Sequence, residues 1–319
     1  MRLALLSTLA LPLLVAPDLE GVTVEADTTV TKTFTNVLSM EVVDLEVSID
    51  GEDQDIPEDQ QPKISISDEE EVVFEDKYVA VADGKPTEIL RTFTTLIDNS
   101  SETVAVPGSD EFEKSEEGES ELEGETVRFL WDAEAEEYEV SFAEDDDQDA
   151  SLLEELEADA DFLFLLSDEE MEVGASWEVD ALAFDRISSP SGNLKIISPD
   201  SDEELDDAFS ESFRDNLEGT FEGTYKSLEE GVATIVYEGE VTTAFEIEST
   251  GEGAPPQTFE LTFTFTGTLL WNVEKGVASE FQFDGDVEMR VGVEITRGER
   301  ELVQVQVFEG EFESTAEFE

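Results

Sequence analysis

From Thr258 to Thr266 the chain alternates Thr, Phe, Glu, Leu, Thr, Phe, Thr, Phe, Thr. Phe259, Leu261, Phe263 and Phe265 share one face and the threonines with Glu260 share the other. A period of two with one apolar face predicts a half-buried antiparallel strand. The same phase runs through Ile235, Tyr237, Val241, Phe245 and Ile247, and through Phe281, Phe283, Val287, Met289, Val291, Val293 and Ile295. Val303, Val305 and Val307 continue it, and the phase then slips between Phe308 and Phe312, as at a β-bulge. Strands of about fifteen residues reach about 50 Å, well above the common length. Short turns at Ser227 to Gly231, Asn272 to Gly276 and Arg297 to Glu299 join them, with one longer connection from Gly251 to Pro256. Long twisted strands in an up-and-down order curl, so a half-barrel or open barrel is expected rather than a flat sandwich.

The first half of the chain is also β in pattern. Its expected strands cover residues 28–50, 63–82, 86–97, 125–131 and 137–143, separated by acidic loops at Gly51 to Pro62 and Asn99 to Gly124. The second loop holds the low-complexity run 113–121 and is expected to be mobile. Two amphipathic helices are expected. In 152–166, Leu152, Leu153, Leu156, Ala160, Leu163 and Phe164 recur at helical spacing behind a Ser151/Glu154 capping box. In 201–216, Ser201 and Glu204 make a second box before the stripe Leu205, Ala208, Phe209 and Phe213. Such helices would cover the open side of a curved sheet.

The fold class is thus mainly β: long antiparallel meander strands in curved sheets with two short amphipathic helices. The division is residues 1–16, an N-terminal β region at 22–190 and a C-terminal meander at 191–319. Phe129-Leu-Trp-Asp-Ala-Glu134 is similar to Leu269-Leu-Trp-Asn-Val-Glu274, which suggests two related halves.

Charge narrows the function. Eighty-five Asp and Glu face sixteen Lys and Arg, a formal charge of -69, and there is no His and no Cys. That balance repels nucleic acid and anionic membranes, because phosphate affinity comes from Lys and Arg displacing counterions. The missing imidazole and thiol remove the commonest general base, metal ligand and nucleophile, so no enzyme activity and no cofactor are expected. Acidity on this scale suits solubility in a saline medium, or attraction of cations or a basic partner. The regular Phe/Val alternation argues against a disordered acidic chain.

Met1-Arg2 and the apolar stretch Leu3 to Ala16 have the form of a signal peptide over residues 1–16, too short for a membrane span. Export to the periplasm or the exterior is expected, with no lipid anchor because no Cys is present to carry one.

Specific chemistry is sparse. Asp145, Asp147 and Asp149 fit the first ligands of a calcium loop, but Ala150 stands where Gly is needed and Leu156 where Glu is needed. Asp200, Asp202, Glu204 and Glu211 are the better-spaced divalent-ion candidates, although Leu205 takes the glycine position. Trp131, Trp177 and Trp271 sit in apolar, strand-like surroundings that suit core packing. A curved sheet closed by two helices would also form an apolar trough, lined by Phe259, Phe263, Phe265, Phe281 and Phe283 and able to hold an apolar ligand.

The segment Met171-Glu-Val-Gly-Ala-Ser-Trp-Glu-Val179 suggests a bent strand with Val173 and Trp177 inward. It resembles a Val-Gly-x-Ser/Thr-Trp segment of uncharacterised families of exported, acidic, β-rich bacterial proteins. Leu122 to Phe129, the acidic helix expected at 152–166, and Gly219 to Tyr225 resemble them too, in the same order. The resemblance implies export and a β fold, and no activity, cofactor or catalytic residue. The expected function is therefore that of an exported, non-enzymatic acidic β-protein of interaction or structural type. A carrier of a lipid or other apolar ligand, and a weak divalent-cation binder, are the alternatives.

Overall fold

The computed structural model describes residues 25–82, 85–144, 148–167, 169, 171–199, 201, 203–248, 255–297 and 300–319. The expected signal segment 1–16 lies outside them. The first seven strands are β1 (Thr28–Ile49), β2 (Glu52–Gln54), β3 (Lys63–Ala82), β4 (Lys85–Ala105), β5 (Phe112–Glu119), β6 (Thr126–Asp132) and β7 (Glu137–Phe142). A stretch of turns leads to β8 (Ser176–Glu178), α1 (Ala183–Ser188) and α2 (Glu203–Asp215). The meander β9 (Glu218–Glu229), β10 (Val232–Ile247), β11 (Gln257–Asn272), β12 (Val277–Arg297) and β13 (Arg300–Phe318) completes the chain.

These strands make one antiparallel sheet in the order β7-β6-β4-β3-β1-β13-β12-β11-β10-β9-β8, with β2 paired to β1 and β5 to β4. The sheet is open, with β7 and β8 as its edges. Its first and last long strands lie side by side, paired from Lys32↔Phe318 to Ile49↔Leu302. The N-terminal and C-terminal strand groups therefore share a single sheet.

One face of the sheet is buried, and glycines shape it. One row across β9 to β13 reads Phe221, Gly239, Phe265, Gly285, Phe312, and the next, across β8 to β12, reads Trp177, Gly223, Tyr237, Gly267, Phe283. Every ring has a glycine on the adjacent strand. A Cβ at Gly267 would run into the Phe283 ring, and one at Gly223 would stand 2.7 Å from Trp177. Missing side chains let the strands bend while the neighbouring ring covers the exposed backbone. In a flat sheet β9 and β12 would be about 14 Å apart. The Phe221 and Phe283 ring centroids nevertheless lie 5.8 Å apart, because the sheet curls and both rings lie across the glycines between them.

The covering elements lie on this inner face. From α2, Phe209 packs on Phe245 and Phe259, and Phe213 meets Phe263 edge-on. Phe184 of α1 sits 4.7 Å from Phe263 and 5.4 Å from Phe265. Phe162, from the turns before β8, lies 4.3 Å from Phe281.

Several local expectations are corrected. Residues 152–166 do not form a helix; they hold only 3-10 turns at Ala150–Leu153 and Leu163–Leu165. Glu155 and Phe162 take left-handed φ values of 65° and 57°, and the carbonyls of Glu157 and Ala158 accept from Arg91 rather than from their own segment. The first of these turns is capped by the side chain of Asp149, not Ser151. The run 113–121 lies largely within β5, which pairs with β4 from Ile97↔Glu119 to Val104↔Phe112. Backbone hydrogen bonds to a long edge make this strand without apolar alternation, so its sequence alone reads as a loop. The bulge belongs to β1, between Val42 and Asp44 opposite Phe308 and Val307, not to β13. Val173 is exposed at 53% and Trp131 at 37%. Trp131 stacks edge-on with Tyr138 near the sheet edge, whereas Trp271 is core and Trp177 is half-buried, donating to the Leu165 carbonyl. The two similar hairpin words do share a turn. The side chains of Asp132 and Asn272 each accept from the two backbone amides at the second and third following positions.

Candidate ligand-binding cavity

The covering segment is pinned to the sheet by ions. Lys32 of β1, Asp76 of β3 and Arg91 of β4 occupy inward positions and are fully buried. The Lys32 ammonium lies 2.8 Å from both Asp76 and Asp161. Arg91 grips Asp76 through Nε at 2.7 Å and Nη2 at 2.8 Å. Its remaining donors reach the Glu157 carbonyl, the Ala158 carbonyl and the Ser191 hydroxyl. Tyr78 donates to Asp161 at 2.9 Å. The Arg91 guanidinium lies 4.2 Å from the Phe74 ring centroid and 5.0 Å from that of Phe129. Two cations and two carboxylates balance, and every group is partnered, the condition under which buried charge is tolerated. Burial disfavours the Lys32 charge, but Asp161 and Asp76 outweigh it and hold the ammonium above the usual lysine range. Burial likewise pushes Asp76 up, but Arg91 and Lys32 outweigh it and hold the carboxyl below its usual range. Such a fully engaged cluster is a staple between β1, β3, β4 and residues 157–161.

Beside the staple the inner face is not filled. A cavity of about 580 Å³ lies between α1, α2 and the sheet, with Leu38, Met40, Phe213, Leu261, Phe263 and Met289 among its walls. A second space of about 210 Å³ shares Leu38, Ser188, Phe213 and Phe263 with it and continues past Phe184 to Phe283 and Phe312. The volume and apolar walls suit a small ligand.

The polar end of this space is acidic. Glu70 borders the larger cavity and Asp68 the smaller, both in the same phase of β3 as Val72 and Phe74. Asp98 of β4 lies directly opposite Glu70, and Asn36 of β1 flanks it on the other side. The Asn36 amide donates to Glu70 and to the Ser188 carbonyl, each at 3.0 Å. Burial, then the shared hydrogen bond and charge of Asp98, push Asp68 up to about 7. Burial also pushes Glu70 up to about 7, against the pull of the Asn36 hydrogen bond.

These shifts carry a stability consequence. Both carboxyls hold protons more tightly in the folded chain, so their contribution is complete below about pH 4 and is lost as pH rises through about 7. The Asp68→Asn/Glu70→Gln protein should unfold at nearly the same urea concentration as its parent near pH 4. Near pH 8 it should be more stable, by on the order of 2–4 kcal/mol. An equal difference at both pH values would show that the folded chain does not perturb these carboxyls.

Of the five aromatic residues expected to line a trough, Phe263 and Phe283 border the cavities. Phe265 and Phe281 are sealed beneath Phe184 and Phe162. Phe259 packs against Phe209 and Phe245. Asp200 and Asp202 lie outside the described residues, Glu204 is in the first turn of α2, and Glu211 is exposed on that helix. Asp145 and Asp147 also lie outside the described residues. Among the described residues no group of three or more carboxylates is arranged to hold a metal ion.

The staple carries a signal in the sequence that motif spacing does not single out. Lys32 sits in phase with Val30 and Phe34, Arg91 with Ile89 and Phe93, and Asp76 with Phe74 and Tyr78. A cation at an apolar-phase position is notable in a chain with only sixteen. No family model matches the chain, and no curated protein shows significant sequence similarity to it.

Proposed function

We propose that the protein is a non-enzymatic carrier that holds the apolar part of a small ligand between α2 and the curved sheet. The supporting observation is the joined apolar space beneath Phe213, walled by Leu38, Phe263 and Phe283. A chain without His or Cys, whose most buried charges are spent on a closed staple, suits binding better than catalysis. Export is part of this proposal and rests on the pattern of Met1 to Ala16.

The test is titration with N-phenyl-1-naphthylamine, a neutral dye that brightens in apolar surroundings. One dye per chain should bind, and Leu38→Trp, which fills the space shared by both cavities, should weaken binding about tenfold or more, a loss of about 1.4 kcal/mol. Equal brightening with the parent and with a Leu38→Trp variant that stays folded would remove the carrier reading.

The outer face supports a second role for the acidity, solubility in a saline medium. Glu288 pairs with Glu309, and Glu309 with Glu41, in one row across β12, β13 and β1; Asp286 and Glu311 form the adjacent pair. These carboxylates border a groove of about 840 Å³ together with serines and threonines. Like charges directly opposite one another destabilise a sheet, and salt screens them. Raising NaCl from millimolar to molar should raise Tm by about 5–10 °C, equivalent to about 3–6 kcal/mol for a chain of this length. A circular-dichroism melt insensitive to NaCl would exclude salt adaptation.

A further inference from the structure

Cations and anions around the cavity are matched unevenly. Arg186, Lys195 and Arg214 border the larger space, and each is already paired, with Glu157, Asp207 and Asp185 respectively. Asp68, Glu70 and Asp98 form no ion pair among the described residues. Two buried acceptor atoms at this end, Asn36 Oδ1 and Asp98 Oδ1, have no hydrogen-bond partner among the described residues. The orientation of the Asn36 amide is set by its nitrogen, which donates to Glu70 and the Ser188 carbonyl, so its oxygen is left as an acceptor. Buried acceptors without donors are uncommon in folded proteins and costly. Once the carboxyls have lost their protons above about pH 7, the Asn36 amide is the hydrogen-bond donor that reaches them among the described residues, no cation pairs with them there, and the site lies at the end of an apolar space.

An ammonium group supplies a positive charge with several N–H donors. A carboxylate head would meet like charge, and a hydroxyl would bring one donor and no charge. We infer that the cavity takes an amphiphile with a cationic nitrogen, such as a long-chain amine. Its chain lies along Phe213 and Phe263 and its nitrogen donates to the carboxylates of Asp68 and Glu70. This inference rests on the carrier reading and names the ligand class of that same site.

A protein this acidic attracts any cation, so the test must separate the cavity from the surface. Decylammonium and decanoate, each below its critical micelle concentration, and decanol, below its solubility limit, are titrated calorimetrically into the full chain in 0.5 M NaCl. At that ionic strength attraction to exposed acids is largely screened, while buried pairs are screened much less. Decylammonium should bind about tenfold or more tighter than decanol, as expected for charge-assisted hydrogen bonds, and decanoate should bind most weakly. Asp68→Asn/Glu70→Gln should bring decylammonium to the affinity of decanol. Glu288→Gln/Glu309→Gln, on the outer face, should leave the preference intact. Urea unfolding of both variants confirms that they are folded.

If decanol binds and decylammonium gains nothing over it, the cationic head is wrong and the carrier reading stands. A preference that survives Asp68→Asn/Glu70→Gln, or disappears with Glu288→Gln/Glu309→Gln, also overturns the assignment, because the attraction would then lie elsewhere. If none of the three probes binds, both the head-group assignment and the carrier reading fail.

Discussion

Arg91→Met is expected to cost about 3–5 kcal/mol of folding stability, the usual penalty for leaving a buried charge without its partner. The substitution keeps the volume of the side chain but strands Asp76, which retains only Lys32. It also leaves the carbonyls of Glu157 and Ala158 and the Ser191 hydroxyl without their guanidinium donors. Arg91→Lys separates charge from shape. A lysine keeps the cation but cannot span Asp76 and two carbonyls with one planar fork, so its urea midpoint should fall between parent and Arg91→Met. The methionine protein should also lose protection from proteolysis first around residues 150–165, where the staple attaches the covering segment. A midpoint equal to the parent's would mean that the ions do not hold the segment down. Acid should weaken the same staple. The Asp76 carboxyl lies below its usual range, so its contribution is complete above about pH 4 and declines as pH falls through the lowered value.

Phe283→Ala should cost about 3–5 kcal/mol, the range for removing a buried aromatic ring. Phe283 is fully buried and meets Phe184, Phe221, Phe265, Phe281 and Phe312. It also covers Gly267 on the adjacent strand. Loss of the ring exposes that glycine and joins its volume to the smaller cavity. Phe259→Ala removes a similar ring from a half-buried position against Phe209 and Phe245 and should cost less. Equal urea midpoints for the two variants would contradict the role of Phe283 as the centre of the curled region.

The strands were legible because their signal is local. Alternation in β11 and β12 needs only neighbouring residues, and the burial of Leu261, Phe263, Phe265, Phe281 and Phe283 follows it. β3 runs over the expected 63–82, and α2 differs from the expected 201–216 only at its ends. The covering segment was not legible, because the preference of Leu152 to Phe164 for a helix was overruled by partners outside it. Arg91 takes two of its carbonyls, and Leu156 bridges to Gly192. β5 was hidden for the opposite reason: the edge of β4 makes it a strand with scarcely any help from its side chains. Two of the aromatic residues expected to face a ligand turned out to be covered, since alternation gives the face of a residue but not what lies over it.

The candidate site was legible only as an anomaly of phase. Lys32, Asp76, Arg91, Asp68 and Glu70 are charged residues at positions where their strands are otherwise apolar. The sequence by itself determined the β class, the inner face of most long strands, the excess of acid and the absence of imidazole and thiol chemistry. Each depends on composition or on spacing within a single segment. Only the tertiary structure decided how the glycine and aromatic rows curl the sheet, which charges balance in the staple, and where an apolar space meets carboxylates that pair with no cation among the described residues. Those features join residues far apart in the chain, such as Arg91 with Ser191 and Phe221 with Phe283, and their energies exist only once the strands have paired.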